Sequence, residues 1–349
     1  MKGIVFLGDK KLEIQNFEDP HPGPDDVIIE IKASGMCGSD LKFYRANSGP
    51  SSLGLGGSDK KVIAGHEPCG VVVELGKNIS KDFISIDTRV MQHHYRGCGT
   101  CSHCSTGWQQ LCVEGVAEVY GVTGNGAHAK YMKCPANTLV NLRDDLSFKS
   151  GSAISCGTGT AWGALERLLL RAEHTLVIFG MGPVGLSAVM LASKMGANII
   201  AIDINAKRLQ RAKNFGANFL INPNQEKDVI TQIMDLTNGL GAHCSIDASS
   251  SPLARAQSIK CLRTWGKACF VGEGGDVNID VSNDLLRKQI TLIGSWTFSK
   301  YGQAECADFV AEKKLNIEDL FTHQWSINEA EEAYKLFDLQ SDGKGIIIP

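Results

Sequence analysis

Four cysteines in one short segment have the spacing of metal ligands. Cys98, Cys101, Cys104 and Cys112 form a C-x2-C-x2-C-x7-C pattern in residues 97–112, the cysteine lobe. Four thiolates suit tetrahedral zinc, and sites made of four cysteines are normally closed to water and substrate. An iron–sulfur cluster is the alternative, although the bacterial cluster spacing, C-x2-C-x2-C-x3-C-P, is absent here. The pattern therefore predicts a structural zinc ion that closes a loop.

A second set of potential ligands is scattered over the first half of the chain. It comprises Cys37, Ser39 and Asp40 in GMCGSD, His66 and Glu67 in GHE, and Cys156 in SCGTGT. Thiolate and imidazole ligands suit Zn²⁺, and a catalytic zinc has three protein ligands and an open fourth position. Buried cysteines are more often packing residues, so these motifs predict a catalytic site only if the fold brings them together.

A glycine-rich turn lies between two apolar runs in the second half of the chain. TLVIFG ends at Gly180, and the turn continues through Gly182 and Gly185 into an apolar helical run. Such glycines let backbone N–H groups approach a pyrophosphate at a helix N-terminus, where Pro183 is also tolerated. The next β-like run closes on Asp203, 18 residues after Gly185, near the expected position of a ribose-binding carboxylate. The pattern predicts a βαβ dinucleotide-binding unit.

The acid at the end of this unit predicts the choice of nucleotide. Asp203 is expected to accept hydrogen bonds from the adenosine 2′- and 3′-hydroxyls and to repel a 2′-phosphate. Lys207 and Arg208 follow closely, and cations at these positions would suit a 2′-phosphate. Lys207 fits a solvated helix face in NAKRLQRAKNFG. The sequence therefore predicts NAD, with NADP as the alternative.

The elements around these motifs differ between parts of the chain. Residues 149–295 alternate β-like and helical runs, typical of a doubly wound parallel sheet in an α/β fold. Residues 1–148 contain short β-like runs such as VIIEIKAS and GVVVEL, which indicate a β-rich domain. We expect GKGIIIP to return residues 296–349 to that domain as a strand. Beyond Asp203 we predict strands at Phe219–Ile221, His243–Ala248, Lys267–Gly272 and Ile290–Gly294 and helices at Glu226–Thr237, Leu253–Leu262, Ala304–Lys313 and Asn328–Leu339.

The overall composition excludes several classes of protein. The 349 residues are 43% hydrophobic and 21% charged, which argues against disorder or a fibre. Lys+Arg 35 against Asp+Glu 38 gives a net charge of −3, so no bulk positive field favours nucleic acid or anionic lipid. No signal-peptide architecture or unbroken apolar span is present, and the 12 cysteines fit metal binding better than disulfides. We expect a cytoplasmic protein with a small-molecule partner.

GMCGSD, AGHEPCGVV, the cysteine lobe, GMGPVG and the tail together resemble the zinc-dependent medium-chain alcohol dehydrogenase family. The likeness covers nearly the whole chain. It implies a GroES-like catalytic domain at 1–148 and 296–349 and a Rossmann NAD-binding domain at 149–295, with one catalytic and one structural zinc. Cys37, His66 and Cys156 match the family's zinc ligands, and Glu67 matches an acid that lies near the metal or ligates it.

The resemblance also implies roles around the reacting centre. Ser39 would take the proton of the substrate hydroxyl. Many members have a relay histidine where this sequence has Lys42, whose unperturbed pKa near 10.4 makes it a poor acceptor unless it is buried. The implied cofactor contacts are Thr160 beside the nicotinamide, Arg208 at the adenosine end, and Gly180, Gly182, Pro183, Val184, Gly185 and Asp203.

The substrate class follows from finer resemblance. GSD, GHE and IGSW at Trp296 resemble the polyol, butanediol and threonine dehydrogenase branch. Within it, the sorbitol enzymes commonly have a glutamate where Cys156 stands, so the third zinc ligand is left open between Cys156 and Glu67. We predict an NAD-dependent enzyme that oxidises a secondary alcohol or polyol to the ketone and forms a dimer or tetramer. A threonine-type amino-alcohol dehydrogenase and a zinc-independent quinone or enoyl reductase are the alternatives.

Overall fold

The chain begins and ends in the same structural unit. The computed structural model describes residues 1–47, 61–116, 118–225, 228–341 and 343–349. Unit 1 consists of Met1–Cys156 and Ser299–Pro349, and unit 2 of Gly157–Phe298. The boundaries expected from the sequence, after residues 148 and 295, fall eight and three residues before these junctions.

The two units differ in the order of their elements: unit 1 consists mostly of strands, whereas strands and helices alternate along the chain in unit 2. In chain order the strands are β1 (Lys2–Gly8), β2 (Lys11–Asn16), β3 (Asp26–Gly35), β4 (Pro68–Leu75), β5 (Arg89–Gln92), β6 (Tyr95–Arg96), β7 (Glu118–Val119), β8 (Tyr131–Pro135), β9 (Leu139–Asn141), β10 (Thr175–Phe179), β11 (Asn198–Ile202), β12 (Phe219–Ile221), β13 (Ala242–Asp247), β14 (Leu262–Phe270), β15 (Thr291–Gly294), β16 (Phe321–Ser326) and β17 (Lys344–Ile348). The α-helices are α1 (Asp40–Arg45), α2 (Ser102–Ser105), α3 (Phe148–Ala153), α4 (Gly159–Leu168), α5 (Pro183–Lys194), α6 (Ala206–Asn214), α7 (Val229–Leu236), α8 (Pro252–Lys260), α9 (Lys300–Glu312) and α10 (Ala330–Asp338). Two π-helical turns span Ile154–Thr158 and Val281–Leu286, and 3₁₀ turns span Gln109–Leu111, Ala136–Thr138, Ile317–Leu320 and Ile327–Glu329.

Unit 1 is built on a seven-stranded sheet in the order β16-β17-β3-β4-β5-β9, with β8 also paired to β3. In β3, Val27, Ile29 and Ile31 recur with the two-residue period of a strand and pack in one buried cluster. The antiparallel ladder of β3 and β4 ends with Ser34 opposite Pro68. Because Cys37 follows β3 and His66 precedes β4, this pairing brings the two ligand segments together.

The tail returns to unit 1, as predicted. β17 pairs in parallel with β16 and antiparallel with β3, where Ile346 lies opposite Gly35. The helix α10 contributes Tyr334 and Phe337 to a buried cluster that also contains Tyr44. Both tail helices begin and end within a few residues of the predicted bounds.

Unit 2 contains a six-stranded parallel sheet in the order β12-β11-β10-β13-β14-β15. Numbered from β10, this is the 3-2-1-4-5-6 order of the Rossmann fold. The α/β fold class, with a GroES-like β-rich part and a Rossmann-type part, is therefore confirmed. In the part of the chain that the structure describes, no helix is long and apolar enough to span a bilayer.

The start of β14 differs from the prediction. The sequence predicts a helix to Leu262 and a strand from Lys267, whereas β14 begins at Leu262. The ladder starts with Ala242 opposite Leu262 and then shifts register, and Trp265 has a left-handed φ of 64°. The irregular first half of β14 lacks the alternation of apolar and polar residues by which a strand is recognised in a sequence.

The helix expected at Glu226–Thr237 is shorter in the structure. Its first two positions, Glu226 and Lys227, lie outside the described residues. The described helix, α7, begins at Val229, where the Asp228 carboxylate caps it by accepting the Thr231 N–H at 2.9 Å.

Candidate metal and cofactor sites

Four predicted ligands meet in one buried cluster of unit 1. One ligand atom each of Cys37, His66, Glu67 and Cys156 lies within 4.8 Å of the others. The two sulfurs, Cys37 Sγ and Cys156 Sγ, are 3.8 Å apart. Two thiolates bound to one tetrahedral zinc, with Zn–S bonds of about 2.3 Å, lie about 3.8 Å apart. The donor set and its spacing therefore fit a single zinc ion.

The charges in the cluster also shift the pKa values of its sulfur and nitrogen donors. A hydrogen bond from the Cys156 thiol and the nearby His66 lower the pKa of Cys37 well below its usual value, despite burial. Burial disfavours protonation of His66, but Asp40 and Cys37 outweigh it and raise the His66 pKa well above its usual range. Metal binding must therefore displace a proton from His66, because only the neutral ring is a ligand.

Asp40 orients both the histidine and the first cysteine. Its Oδ1 lies 2.9 Å from His66 Nδ1, and its Oδ2 accepts the Cys37 backbone N–H at 2.8 Å. With a carboxylate this close to Nδ1, Nε2 is the His66 nitrogen left to face a metal, as in other carboxylate–histidine–metal arrangements. Ser39 Oγ lies 3.1 Å from that Nε2. Ser39 thus stands next to the candidate metal position.

Glu67 is held by a lysine that the sequence analysis missed. Lys344 Nζ lies 2.6 Å from the Glu67 carboxylate and donates to the Met36 carbonyl oxygen at 2.9 Å, and both charged side chains are buried. Burial and the charge of Cys37 raise the Glu67 pKa to about 7, against the opposing effect of Lys344. A Cβ on Gly35 would overlap Glu67 Oε2, so the carboxylate is also confined by the backbone of β3. In the sequence, the position of Lys344 at the start of an apolar strand, GKGIII, is the only indication that it is buried and paired.

The cysteine lobe forms a second donor cluster. The sulfurs of Cys98, Cys101, Cys104 and Cys112 lie within 4.8 Å of one another, and the Cys98–Cys104 and Cys101–Cys112 pairs are 4.0 and 3.9 Å apart. These spacings match four thiolates around one ion and leave no room for several irons. Hydrogen bonds from Thr100 and from the Cys101 N–H lower the Cys98 pKa to about 6, which favours a thiolate. All twelve cysteines lie in the described residues and are free thiols.

The glycine-rich turn has the geometry that a pyrophosphate site requires. Gly180 directly follows β10 and has a φ of 93°, which a side chain would disfavour. A Cβ on Gly185 would overlap the Gly180 carbonyl oxygen, whereas the space beside Gly182, the N-cap of α5, is open among the described atoms. Pro183 and Val184 begin α5, so the N–H groups of its first turn face the turn.

Asp203 follows β11 and is nearly buried. Its Oδ2 accepts the Met181 N–H at 2.6 Å and its Oδ1 the Asn205 N–H at 2.8 Å. Each carboxylate oxygen has a second lone pair, so ribose hydroxyls are still able to donate to it. Lys207 is exposed at the start of α6 and Arg208 is half-buried. Asp203 is thus fixed at the carboxyl end of the sheet, where dinucleotides bind.

Thr160 and Lys42, two further residues identified from the sequence, are not part of the ligand cluster. Thr160 is buried in the first turn of α4, in unit 2. Lys42 lies exposed on α1, so the burial that a proton-accepting role requires is absent.

Two family models match the chain. A model described as alcohol dehydrogenase GroES-like domain matches residues 23–144, and one described as zinc-binding dehydrogenase matches residues 183–312. The first range contains Cys37, His66 and the cysteine lobe, and the second contains Asp203.

Similar proteins match the chain from end to end. An uncharacterized zinc-type alcohol dehydrogenase-like protein of Escherichia coli K12 is 33% identical, over 99% of this chain and 98% of that protein. A sorbitol dehydrogenase of Halalkalibacterium halodurans is 29% identical, over 96% and 95% of the two chains. An L-threonine 3-dehydrogenase of Pyrococcus horikoshii is 28% identical, over 96% and 94%.

Proposed function

The chain belongs to the zinc-dependent medium-chain alcohol dehydrogenase family, and we propose that it transfers a hydride from a secondary alcohol or polyol to NAD⁺, giving the ketone. The observation that carries this proposal is the buried convergence of Cys37, His66 and Cys156 within reach of one ion. In this proposal unit 1 holds the catalytic and the structural zinc, and unit 2 holds NAD.

The residues around the cluster supply the mechanism. When bound, zinc supplies the Lewis acidity that lowers the pKa of a substrate hydroxyl, and nicotinamide supplies the hydride acceptor. Cys37, His66 and Cys156 would hold the ion and leave it accessible to the substrate hydroxyl. Asp40 would keep the His66 ring in place, and half-buried Ser39, whose Oγ lies 3.1 Å from His66 Nε2, would accept the hydroxyl proton while its own hydroxyl proton passes to solvent.

The names of the relatives support the substrate class. Sorbitol is a polyol and threonine an amino alcohol, and both carry a secondary hydroxyl group. Relatives named for these two substrates are 29% and 28% identical to this chain over nearly its whole length. This similarity supports a secondary hydroxyl as the reacting group, and an amino alcohol is the second candidate beside a polyol.

Metal analysis and a substrate screen test this proposal together. We expect about two zinc ions per chain, whereas about one would fit the lobe alone and none would fit a zinc-independent reductase. NAD⁺ reduction is to be measured with polyols, sugar alcohols, amino alcohols and simple secondary alcohols. Preference for L-threonine would favour the amino-alcohol alternative, and no reduction with any of them would contradict the proposal.

The choice of cofactor depends on Asp203. We expect Asp203→Ala to weaken NAD⁺ binding and to relax the rejection of NADP⁺, because the hydroxyl acceptor and the charge that repels a 2′-phosphate are lost together. The ratio of kcat/KM for the two cofactors measures this, with Lys213→Ala, an exposed lysine in the last turn of α6, as a control that keeps the ratio. Preference of the wild-type enzyme for NADP⁺ would contradict the assignment.

The lobe metal is proposed to serve stability alone. We expect Cys101→Ser to release this zinc and to lower the melting temperature, because a structural metal contributes folding free energy. Each kcal/mol of stability lost corresponds to roughly 2–4 °C for a domain of this size. Zinc content and calorimetry measure the effect, and Ser102→Ala, at an exposed neighbour, should change neither. Full zinc content and an unchanged melting temperature in Cys101→Ser would contradict the lobe assignment.

A homo-oligomer, dimer or tetramer, is also part of the proposal. β15 lies at the end of the unit 2 sheet, and Leu292 on it is 43% exposed. An open strand edge with apolar side chains favours association with a second strand. Light scattering of the purified protein determines the oligomeric state, and a monomer would contradict this part.

A further inference from the structure

A chain of buried hydrogen bonds leads from Asp40 away from the candidate catalytic metal site. Tyr334 Oη lies 3.3 Å from Asp40 Oδ2, His128 Nε2 lies 2.7 Å from Tyr334 Oη, and Ser34 Oγ lies 2.8 Å from His128 Nδ1. All four side chains are at most 1% exposed. The mechanism above uses Asp40 but gives no role to the other three.

The direction of each hydrogen bond follows from the chemistry of the groups. An ionised carboxylate is only an acceptor, so the Tyr334 hydroxyl donates to Asp40. The Tyr334 oxygen then accepts from His128 Nε2–H. A neutral ring carries one proton, so His128 Nδ1 accepts from the Ser34 hydroxyl. Burial lowers the His128 pKa to about 4, which keeps the ring neutral at pH 7. One proton arrangement thus satisfies every donor and acceptor.

Asp40 stands at the branch point of this chain. One of its carboxylate oxygens lies 2.9 Å from His66 Nδ1, and the other accepts hydrogen bonds from the Cys37 N–H and the Tyr334 O–H. A rotation of the carboxylate would therefore disturb the supports of two metal ligands at once. The Tyr334 hydroxyl donates to the same oxygen as the Cys37 N–H and therefore opposes this rotation.

The Tyr334 ring is itself held firmly. It packs edge-on against Phe6, with ring centroids 4.8 Å apart, and against Tyr44 at 5.6 Å. His128 comes from the segment before β8, and Tyr334 from α10 in the tail. The hydroxyl is therefore placed by packing before any metal binds, and the tail helix is linked to the ligand cluster.

We propose that Tyr334, supported by His128, is a positioning residue for the catalytic metal: its hydroxyl fixes the Asp40 carboxylate and, through it, the His66 and Cys37 ligands. The inference rests on the proposed function, because it assigns the residue to the metal site of that reaction. It predicts that loss of one buried hydroxyl weakens metal binding at the catalytic cluster and leaves the lobe unaffected.

The test compares Tyr334→Phe with wild type as full-length zinc-loaded enzymes. Residues that orient metal ligands typically contribute 10- to 100-fold to metal affinity, and we expect about 10-fold weaker zinc binding because Tyr334 acts through Asp40. Competition with a chromogenic chelator measures the affinity, with the lobe zinc as internal reference. Cobalt(II) at the catalytic cluster gives a second readout, an absorption spectrum altered by the changed ligand geometry.

Matched variants separate positioning from general destabilisation. Tyr44→Phe removes a hydroxyl from the adjoining ring of the same buried cluster and should leave metal affinity and the cobalt spectrum unchanged. His128→Gln retains an N–H donor toward Tyr334 and should stay near wild type, whereas His128→Leu should resemble Tyr334→Phe.

The outcomes distinguish this inference from the proposed function. Wild-type affinity and spectrum in Tyr334→Phe would overturn the inference, as would an equal effect of Tyr44→Phe or equal loss of the lobe zinc. A wild-type enzyme that binds metal at the cluster but reduces no NAD⁺ would contradict the function and leave the affinity comparison intact. A wild-type chain that binds metal only in the lobe would contradict both.

Discussion

His66→Ala is expected to abolish alcohol-dependent NAD⁺ reduction while NAD⁺ still binds. The variant removes the imidazole donor from the cluster and leaves the Asp40 carboxylate without the ring it orients. Metal stabilisation of developing charge contributes several kcal/mol to such reactions, so kcat/KM should fall on the order of 10³-fold or more. Turnover with the best substrate of the screen, zinc content, and NAD⁺ binding by fluorescence are the measurements.

A histidine of the same unit serves as the control. His103 is exposed on α2 in the cysteine lobe, so His103→Ala should keep full activity and both zinc ions. Substantial turnover by His66→Ala with one zinc lost would show that the catalytic metal is elsewhere. Loss of NAD⁺ binding along with activity would instead point to a general effect on folding.

Local motifs, together with the family resemblance, identify the candidate ligands but not the residues that support them. Cys37 and His66 each lie in a short motif at a strand end, and the glycine-rich turn joins a strand to a helix, so adjacent residues reveal their roles. Lys344 and Tyr334 instead lie 277 and 294 residues from their partners Glu67 and Asp40. Only the return of the tail to unit 1 brings them together.

In the fold, too, neighbouring residues predict some features, whereas others depend on segments that are distant in the sequence. The alternation of strands and helices predicts a parallel sheet in unit 2, because parallel strands need helical crossovers. The irregular start of β14 escaped prediction, since its register shift depends on the neighbouring strand β13. The predicted β17 was recognisable from GKGIIIP, but its partners β3 and β16 were not.

The pairing of Glu67 with Lys344 bears on the third ligand of the catalytic metal. Both side chains are buried and lie 2.6 Å apart, so a carboxylate that moves to the metal must leave an ammonium group without its counter-charge. Breaking a buried ion pair in this way costs roughly 3–5 kcal/mol. Cys156 Sγ already lies 3.8 Å from Cys37 Sγ, which is the separation of two thiolates bound to one tetrahedral zinc ion. These energetics favour Cys156 over Glu67 as the resident ligand.

We therefore expect opposite metal contents in two variants. Cys156→Ala should lose the catalytic zinc, from about two ions per chain to about one, because the cluster then retains two protein ligands beside the paired carboxylate. Glu67→Gln should keep the zinc but turn over slowly, since the uncompensated Lys344 charge changes the electrostatics of the site. Metal analysis and kcat measure both effects, and Cys134→Ala, at a buried cysteine of the same unit, should change neither.

X-ray absorption at the catalytic zinc decides between the two ligand sets once the lobe contribution is removed in Cys101→Ser. The expected shell contains two sulfurs, from Cys37 and Cys156, and one imidazole nitrogen, at about 2.3 and 2.0–2.1 Å. One sulfur with a carboxylate oxygen, and zinc retained in Cys156→Ala but lost in Glu67→Gln, would reverse the assignment. The Lys344–Glu67 ion pair would then have to open when metal binds, and Lys344→Met would be expected to tighten metal binding because the carboxylate no longer has a competing partner.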